Sequence, residues 1–298
     1  MQQELVVAVF AGLCGMLGWG LADFFAKITI DRIGDTVSLA WGHVFGTLAL
    51  FVLLIVQSFV FERPLNFELS SNQYVLLIVF GVAQAIVYLF VYRGFGKGQI
   101  AVLNPLFACF SGLTALLSIV IFKEVVSGYV LIGLFLLFLG ILFISTDWQA
   151  FKNKKFSIAH VPGFKEVGFA TIMAAFWTLY WDKFLGGQDW LVYTFLMYSF
   201  MTLAILLAAK MQGVTLVNIN PTAWKFLVLI GFFEVLAYLG ISLGYSVTTN
   251  TSIVALLSGA FSLPTIIFAR LFLKEKITPL QTIGSLVIVA GIMIISII

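Results

Sequence analysis

Two pairs of polar residues lie inside long apolar stretches of this sequence, and both pairs have the same spacing. Gln84 is followed four residues later by Tyr88, and Glu234 is followed four residues later by Tyr238. Residues four apart share one face of an α-helix, and a charged group in hydrocarbon is costly unless it faces a cavity or a partner. We therefore predict that all four side chains bind a substrate and that Glu234 carries a coupling proton. The alternative is a structural carboxyl group, hydrogen-bonded between helices.

Two tryptophans lie near the middle of their apolar stretches. They are Trp19 in the first stretch and Trp177 in the sixth. Tryptophans that anchor a protein at the membrane surface lie near the ends of the spans instead. We therefore predict that Trp19 and Trp177 line a cavity, and simple packing is the alternative. Tyr180 is predicted to bind substrate with them as part of an aromatic cage for an organic cation.

Prolines interrupt two of the apolar stretches beside small polar residues. Asn104 precedes Pro105, and Ser258 lies six residues before Pro264. Proline frees backbone carbonyl groups inside a membrane helix, and such groups are tolerated where they line a cavity or are satisfied by neighbours. Asn104 and Ser258 are therefore predicted to bind substrate, although a fixed structural kink explains the same pattern equally well.

The first apolar stretch also contains one acidic and one basic residue. Trp19, Asp23 and Lys27 follow one another at four-residue intervals, which places them on one helix face. We interpret Asp23 and Lys27 as a mutually neutralising structural pair near the helix end. Asp182 and Lys183, near the end of the sixth stretch, are interpreted in the same way.

No combination of residues in the sequence is typical of an enzyme. The two histidines and two cysteines are far apart, and both cysteines, Cys14 and Cys109, fall within apolar stretches. Neither their number nor their spacing indicates a disulfide framework or a metal site. We expect no catalytic residues, no metal, no cofactor and no binding of nucleic acid.

The composition indicates a membrane protein. The chain is 62% hydrophobic and 10% charged, with a mean hydropathy of +1.12, whereas soluble domains are about 25% charged. A helix needs about 20 apolar residues to cross the hydrocarbon. Ten stretches qualify, at 5–29, 37–60, 74–92, 100–122, 127–145, 167–184, 190–209, 223–246, 251–272 and 278–298. We predict ten transmembrane helices, a first span that is retained and no soluble domain.

Residues 81–145 and 231–296 resemble each other. The matched features include Gly81 and Gly231, the two tyrosines named above, a Lys-Glu dipeptide and glycine-rich final helices. Five spans in each half make an odd number, so the second half must enter the membrane from the opposite face. We predict two inverted five-helix repeats, at 1–149 and 162–298, whose substrate site lies near the midplane where they meet.

These features resemble the drug/metabolite transporter superfamily, and specifically its ten-helix EamA-type members, over essentially the whole chain. The resemblance is carried by Trp19-Gly20 with Lys27, by the proline-containing fourth and ninth spans, and by the Lys-Glu turn before the last helix of each half. It implies a secondary transporter that works by alternating access, without fixing the substrate. His43 occupies a position where the family often has arginine, so the resemblance does not imply a charged side chain at this position.

The positive charges predict an orientation. If the ten spans are correct, only Arg63, Lys123 and Lys183 of the 16 lysines and arginines lie on the face that holds both termini. The positive-inside rule then places the termini outside and the lysines at 152–155 in the cytoplasm. The resemblance implies the opposite orientation.

Three functions remain open on the sequence. The first is transport of a small metabolite, an amino acid or a related compound, across the cytoplasmic (plasma or inner) membrane, with proton coupling through Glu234. The second is transport of organic or quaternary-ammonium cations by an aromatic cage with Glu234 as counter-charge. The third is a non-transporting membrane component. We expect a multi-pass protein in contact with membrane lipid, as a monomer or weak homodimer.

Overall fold

The computed structural model describes residues 2–60, 62, 65, 67–123, 127–146, 162–217, 219–249, 251–274 and 279–296. The predicted lysine cluster at 152–155 and both glutamates of the Lys-Glu turns lie outside these residues. Within the described part, the chain is helical and contains no strand.

The first half consists of five helices. They are α1 (Gln2–Ile33), α2 (Asp35–Phe59), α3 (Ser71–Lys97), α4 (Ile100–Phe122) and α5 (Gly128–Ser145). The second half consists of α6 (Phe164–Leu185), α7 (Trp190–Met211), α8 (Trp224–Val247), α9 (Thr251–Gly259), α10 (Ser262–Phe268) and α11 (Pro279–Ser296). A 3-10 turn, Pro221–Ala223, precedes α8, and a π-helical turn, Ala269–Leu273, follows α10.

These helices form ten spans in the described part of the chain, because α9 and α10 are two pieces of one interrupted span. The interruption falls at Ala260 and Phe261, just before Pro264, which cannot continue the hydrogen-bond ladder of the preceding turn. By length and composition, α1, α2, α3, α4, α7 and α8 could each cross a membrane. The prediction of a purely helical, ten-span membrane fold is confirmed.

Local sequence signals set several helix ends. Ser70 begins α3 with a capping box, in which its hydroxyl accepts from the Gln73 amide and the Gln73 side chain accepts from the Ser70 amide. Asp189 caps α7 by accepting from the amides of Leu191 and Val192. These caps satisfy backbone donors that would otherwise lack partners at the helix ends.

The two halves pack on each other as inverted repeats. Gly231 on α8 is tightly packed on α2, where an added Cβ would lie 2.5 Å from the Gly46 nitrogen and 2.7 Å from the Gly42 oxygen. Gly81 on α3 packs in the same way on α7, where an added Cβ would lie 2.8 Å from both the Met201 nitrogen and the Met197 oxygen. The contact of Gly231 with α2 therefore has its counterpart in the contact of Gly81 with α7.

The fourth span of each half also ends in the same unusual conformation. Lys123 follows α4 with φ of 52°, and Lys274 follows the π-helical turn with φ of 57°. A left-handed conformation is uncommon for a residue other than glycine. Its occurrence at two equivalent lysines shows that the duplicated sequence produces a duplicated backbone turn.

Small residues allow the closest helix contacts. A Cβ on Gly18 of α1 would lie 2.5 Å from the Phe233 oxygen of α8, and one on Gly140 of α5 would lie 2.7 Å from the Gly284 oxygen of α11. Membrane helices associate through such close packing because lipid tails are as apolar as the side chains, so the hydrophobic effect does not drive the helices together. The predicted pairing of the fifth and tenth spans is confirmed, and α1 with α8 forms a second tightly packed pair.

Candidate substrate-binding site

Glu234 lies at the centre of the interface between the repeats, where it contacts two other helices. The Tyr198 hydroxyl on α7 donates to Glu234 Oε2 at 2.7 Å, and His43 Nε2 on α2 lies 3.3 Å from Glu234 Oε1. Glu234 is 1% exposed, and both partners are fully buried. The carboxyl group is therefore held between a phenol and an imidazole, away from lipid.

The protonation of His43 follows from its other ring nitrogen. His43 Nδ1 lies 2.9 Å from the Leu39 carbonyl oxygen. Because a carbonyl oxygen can only accept, Nδ1 must carry a hydrogen, and Nε2 is left facing Glu234. The contact is within ion-pair distance but lacks hydrogen-bond geometry, and Nε2 has no hydrogen-bond partner among the described residues.

Two arrangements would make the pair formed by His43 Nε2 and Glu234 neutral overall. A single proton gives either an imidazolium with a carboxylate or a neutral imidazole with a carboxylic acid. Removing it, or adding a second, would leave one buried charge without an opposite charge, which is strongly unfavourable. A single proton shared by His43 Nε2 and Glu234 would therefore be the charge-balanced state, and we call these two residues the one-proton unit.

The other polar pair lies beside this unit. Gln84 Nε2 on α3 donates to the Tyr238 hydroxyl at 2.8 Å, and Tyr88 is hydrogen-bonded to the same hydroxyl. The Tyr88 ring lies edge-on to the His43 imidazole, with ring centroids 5.2 Å apart. All four side chains of the two predicted pairs thus meet, together with His43 and Tyr198.

A repeated motif on α2 and α7 marks the axis between the repeats. His43 is followed at four residues by Thr47, and Tyr198 at four residues by Thr202. Each threonine hydroxyl donates to the backbone oxygen of its own His43 or Tyr198 at 2.9 Å, and the two hydroxyls are 2.8 Å apart. The His43 and Tyr198 rings stack at 5.2 Å. The equivalent positions of the two repeats therefore carry different chemical groups. The His43 imidazole corresponds to the Tyr198 phenol, and the Glu234 carboxyl group corresponds to the Gln84 amide.

The predicted tryptophans flank Tyr238. Trp19 lies edge-on to it at 6.0 Å between ring centroids, and Trp177 does so at 6.3 Å. Trp177 also stacks on Trp181 at 5.3 Å, and its Nε1 donates to the Phe80 oxygen at 2.9 Å. Trp19 Nε1 is buried and has no hydrogen-bond partner among the described residues.

Two predicted residues lie elsewhere. Tyr180 is 50% exposed on the outer surface of α6, whereas Trp177 and Trp181 on the same helix are buried. Ser258 is buried on α9 against α1, where a Cβ on Gly15 would lie 2.6 Å from its own Cβ. The structure therefore does not bring Tyr180 into the central cluster, and it places Ser258 at a helix contact.

Asn104 meets a partner that the sequence did not indicate. Its Nδ2 donates to Asp23 Oδ2 at 2.7 Å, in a buried contact between residues 81 positions apart. The predicted pairing of Asp23 with Lys27 is wrong. Lys27 Nζ instead contacts Asp31 at 2.8 Å and the carbonyl oxygens of Phe95 at 3.1 Å and Gly98 at 3.3 Å. The predicted pairing of Asp182 with Lys183 is present, at 3.1 Å.

His43, Tyr198 and Asp23 are therefore site residues that sequence reasoning missed. His43 was set aside because no other histidine lies near it in sequence, yet its Glu234 partner is 191 positions away. The shared spacing of His43 with Thr47 and of Tyr198 with Thr202 is the sequence signal that could have identified two of them. Among the described residues, no group of three or more metal-ligating side chains is present.

The two ends of the helix bundle differ. At the end opposite the termini, which we call the Lys-rich face, the carbonyl contacts of Lys27 join α1 to α3, and Lys97 on α3 pairs with Glu166 on α6. The pKa of Glu166 lies below its ordinary value because the Lys97 ammonium donates a hydrogen bond to it. At the terminal face a cavity of about 350 Å³ opens between α1, α6 and α8, lined by Glu4, Asp182, Lys183 and Tyr245 among others.

Comparison with known proteins agrees with this architecture. The model of the EamA-like transporter family matches the chain twice, over residues 6–146 and 167–297. One solved structure, described as a crystal structure of a protein, superposes with a TM-score of 0.72 over 96% of this chain and 95% of that chain, at 14% identity, which supports the fold alone. No curated protein matches in sequence. The two family matches span nearly the whole chain and coincide with its two five-helix repeats, so this multi-pass membrane protein belongs to the EamA-like transporter family, whose members move small molecules.

Proposed function

We propose that this protein is a proton-coupled secondary transporter of a small metabolite, an amino acid or a related compound, that works by alternating access in the cytoplasmic membrane. The observation that carries the proposal is the buried contact of His43 Nε2 with Glu234 at the interface of the two repeats. In inverted-repeat transporters the substrate and the coupling ion bind at such an interface, near the midplane.

The contacts around Glu234 suggest how coupling operates. While the proton stays on the pair, the unit is neutral overall, so the site can change access from one face of the membrane to the other at low cost. A substrate that brings a charge into the neighbouring cluster changes which protonation state is favourable, since buried charges require compensation. Tyr198 stabilises the carboxylate form by donating to Oε2. Proton transfer and substrate occupancy are then linked through one carboxyl group.

The ends of the bundle supply the gates in this proposal. At the Lys-rich face, Lys97 with Glu166 and the Lys27 contacts hold α1, α3 and α6 together. At the terminal face, the cavity beside Glu4 and Asp182 forms the entrance. Alternating access then consists of breaking the first set of contacts while the helices around the cavity close. We further propose that the repeats extend over 1–149 and 162–298 and that the protein acts as a monomer or weak homodimer.

A carrier of organic cations is the second candidate. Tyr238 lies among the rings of Trp19, Trp177 and Tyr198, at 5.4 to 6.3 Å between centroids, and aromatic faces attract cations by about 0.5–2 kcal/mol per contact. Tyr180 has no part in this cage, since it is half exposed on α6. A non-transporting membrane component is disfavoured by the family match.

A ligand screen followed by transport tests this proposal. Purified protein is heated with amino acids, organic cations, sugars and nucleotides, since a ligand that binds only the folded state raises the apparent melting temperature. Compounds that stabilise the protein are then tested in proteoliposomes with an imposed pH gradient. We expect at least one compound to accumulate against its concentration gradient. Transport at a rate that does not depend on the pH gradient would contradict proton coupling. If no stabilising compound is transported, the proposed transport function is contradicted.

A further inference from the structure

We infer that Asp23, and not Glu234, binds the positively charged amino group of the substrate. This inference rests on the proposed function and assigns the chemical class of its substrate as a cationic amine. It divides the two buried carboxyl groups between two tasks, with Glu234 holding the coupling proton and Asp23 holding the substrate.

Asp23 has no positively charged partner in the part of the chain that the structure describes. Asp23 is 6% exposed, and its hydrogen-bonded partner is the neutral amide of Asn104. Among the described residues, no lysine, arginine or histidine forms an ion pair with it. Lys27, one helical turn away, bonds to Asp31 and to two backbone carbonyl oxygens of α3, so its donors are committed at the Lys-rich face.

Glu234 differs from Asp23 in this respect. It has the His43 imidazole at 3.3 Å and the Tyr198 hydroxyl at 2.7 Å, so its charge can be compensated inside the protein. A carboxylate removed from water without a cation is strongly destabilised. An ammonium group supplied by the substrate would provide the missing charge at Asp23, whereas Glu234 already has a partner.

The polar atoms around Asp23 suit an ammonium group. Asn104, which donates to Asp23 through Nδ2, keeps a buried Oδ1 that has no partner among the described residues. An ammonium group has three donors and no acceptor, so the Asp23 carboxylate and Asn104 Oδ1 offer it two acceptors at one place. Leaving such an acceptor unsatisfied is unfavourable, which favours a ligand that brings N–H groups.

Trp19 provides the neighbouring apolar wall. It lies one helical turn before Asp23, and its ring packs edge-on against Phe110 at 5.7 Å and Phe261 at 6.0 Å. The Nε1 donor of this tryptophan has no partner in the described part of the chain, and it suits a carboxylate on the substrate. Both an amino acid and a simple organic amine therefore fit the site, and they share the ammonium group.

Three compounds with one phenyl ring distinguish these chemistries. They are 2-phenylethylamine, which has only an ammonium group, L-phenylalanine, which has an ammonium group and a carboxylate, and 3-phenylpropanoate, which has only a carboxylate. Binding to purified wild-type protein is measured by thermal shift and titration calorimetry. We expect stabilisation by the first compound or by the first two, and none by the third. Stabilisation by both of the first two assigns an amino acid, and stabilisation by the amine alone assigns an organic cation.

Four variants locate the group that binds the ammonium. Asp23→Asn should lower the affinity for 2-phenylethylamine about 30-fold or more, because it removes one partner of a buried charge pair. Glu62→Gln, an exposed carboxyl change in the segment between α2 and α3, should bind as wild type does. Glu234→Gln should keep the affinity within about threefold, because its charge partner is His43. If Asp23→Asn does not fold, Asn104→Ala tests the same site and should weaken binding of the amine at least tenfold.

Three results would overturn the inference. The first is wild-type affinity for the amine in folded Asp23→Asn or Asn104→Ala. The second is loss of amine binding in Glu234→Gln while Asp23→Asn still binds the amine. The third is a wild-type protein that 3-phenylpropanoate stabilises as much as the amine does, or that none of the three compounds stabilises. If the amine binds in an Asp23-dependent way but is not driven by a pH gradient, the proposed proton coupling fails and this inference stands. If another substrate is driven by the gradient while Asp23→Asn binds normally, the inference fails and the proposed function stands.

Discussion

The one-proton unit of His43 and Glu234 makes a quantitative prediction for Glu234→Gln. The replacement keeps the shape of the side chain and its contact with Tyr198 but removes the exchangeable proton. A proton that moves down a gradient of one pH unit supplies about 1.4 kcal/mol, which supports about tenfold accumulation of a substrate coupled one to one. Because Nδ1 of His43 is committed to the Leu39 oxygen, the proposed unit exchanges one proton and not two. We therefore expect accumulation to fall from about tenfold to none.

Proteoliposomes allow this prediction to be measured. Vesicles with a pH gradient of one unit, imposed in either direction, are compared for wild type, Glu234→Gln and the control Glu62→Gln, an exposed carboxyl change between α2 and α3. Substrate exchange at equal pH is measured in parallel, and Glu234→Gln should retain it because exchange needs no net proton movement. His43→Asn should behave like Glu234→Gln, since either change breaks the unit. Gln84→Ala should mainly weaken substrate binding, because Gln84 orients Tyr238 without carrying a proton.

Two results would refute this reasoning. Wild-type accumulation of substrate by folded Glu234→Gln would show that the Glu234 carboxyl group has only a structural role as a hydrogen-bonded group between helices. Accumulation that persists in His43→Asn but is lost in Glu234→Gln would show that Glu234 exchanges its proton without the imidazole. In that case the charge balance argued from the 3.3 Å contact would be wrong.

Three further predictions concern the gate, the packing and the orientation. Glu166→Gln should lower the melting temperature slightly at pH 7, since exposed ion pairs contribute about 0.2–1 kcal/mol to stability. Because pairing with Lys97 lowers the pKa of Glu166, the difference from wild type should be present above the ordinary carboxyl pKa and should vanish as the pH falls through the lowered pKa. A difference that does not depend on pH would contradict this prediction. Gly231→Ala should cost about 1–3 kcal/mol by overpacking, as seen in the melting temperature, and a melting temperature equal to wild type would contradict the packing described. In a background without native cysteines, a single cysteine replacing Ser71 should react with an impermeant thiol reagent on intact cells and one replacing Lys154 should not; the reverse result would place the termini in the cytoplasm.

A matched control separates the packing prediction from a general loss of stability. Gly128 lies at the start of α5, and an added Cβ there would meet no atom within 4 Å. Gly128→Ala should therefore leave the melting temperature unchanged. A similar fall for both glycine variants would show that the close contact at Gly231 is not the cause.

The sequence predicted the number of spans and the two polar pairs, because both follow from local rules. An apolar run long enough to cross the membrane must be helical, since a helix satisfies its own backbone groups in lipid. A spacing of four residues places two side chains on one face in any helix. Gln84 with Tyr88 and Glu234 with Tyr238 therefore share a face wherever their helices pack, and the duplication placed the two faces opposite each other.

Only the tertiary structure decided which helix faces which. Asp23 met Asn104 and not Lys27, Glu234 met His43 and Tyr198, and Tyr180 turned outward although Trp177 turned inward. In a soluble helix the apolar stripe reveals the buried face, but in lipid both the buried and the exposed faces are apolar. The rotation of each helix is set instead by close contacts at small residues such as Gly18 and Gly231. Those contacts join residues far apart in the chain, and the sequence determines them only through the packing of the whole bundle.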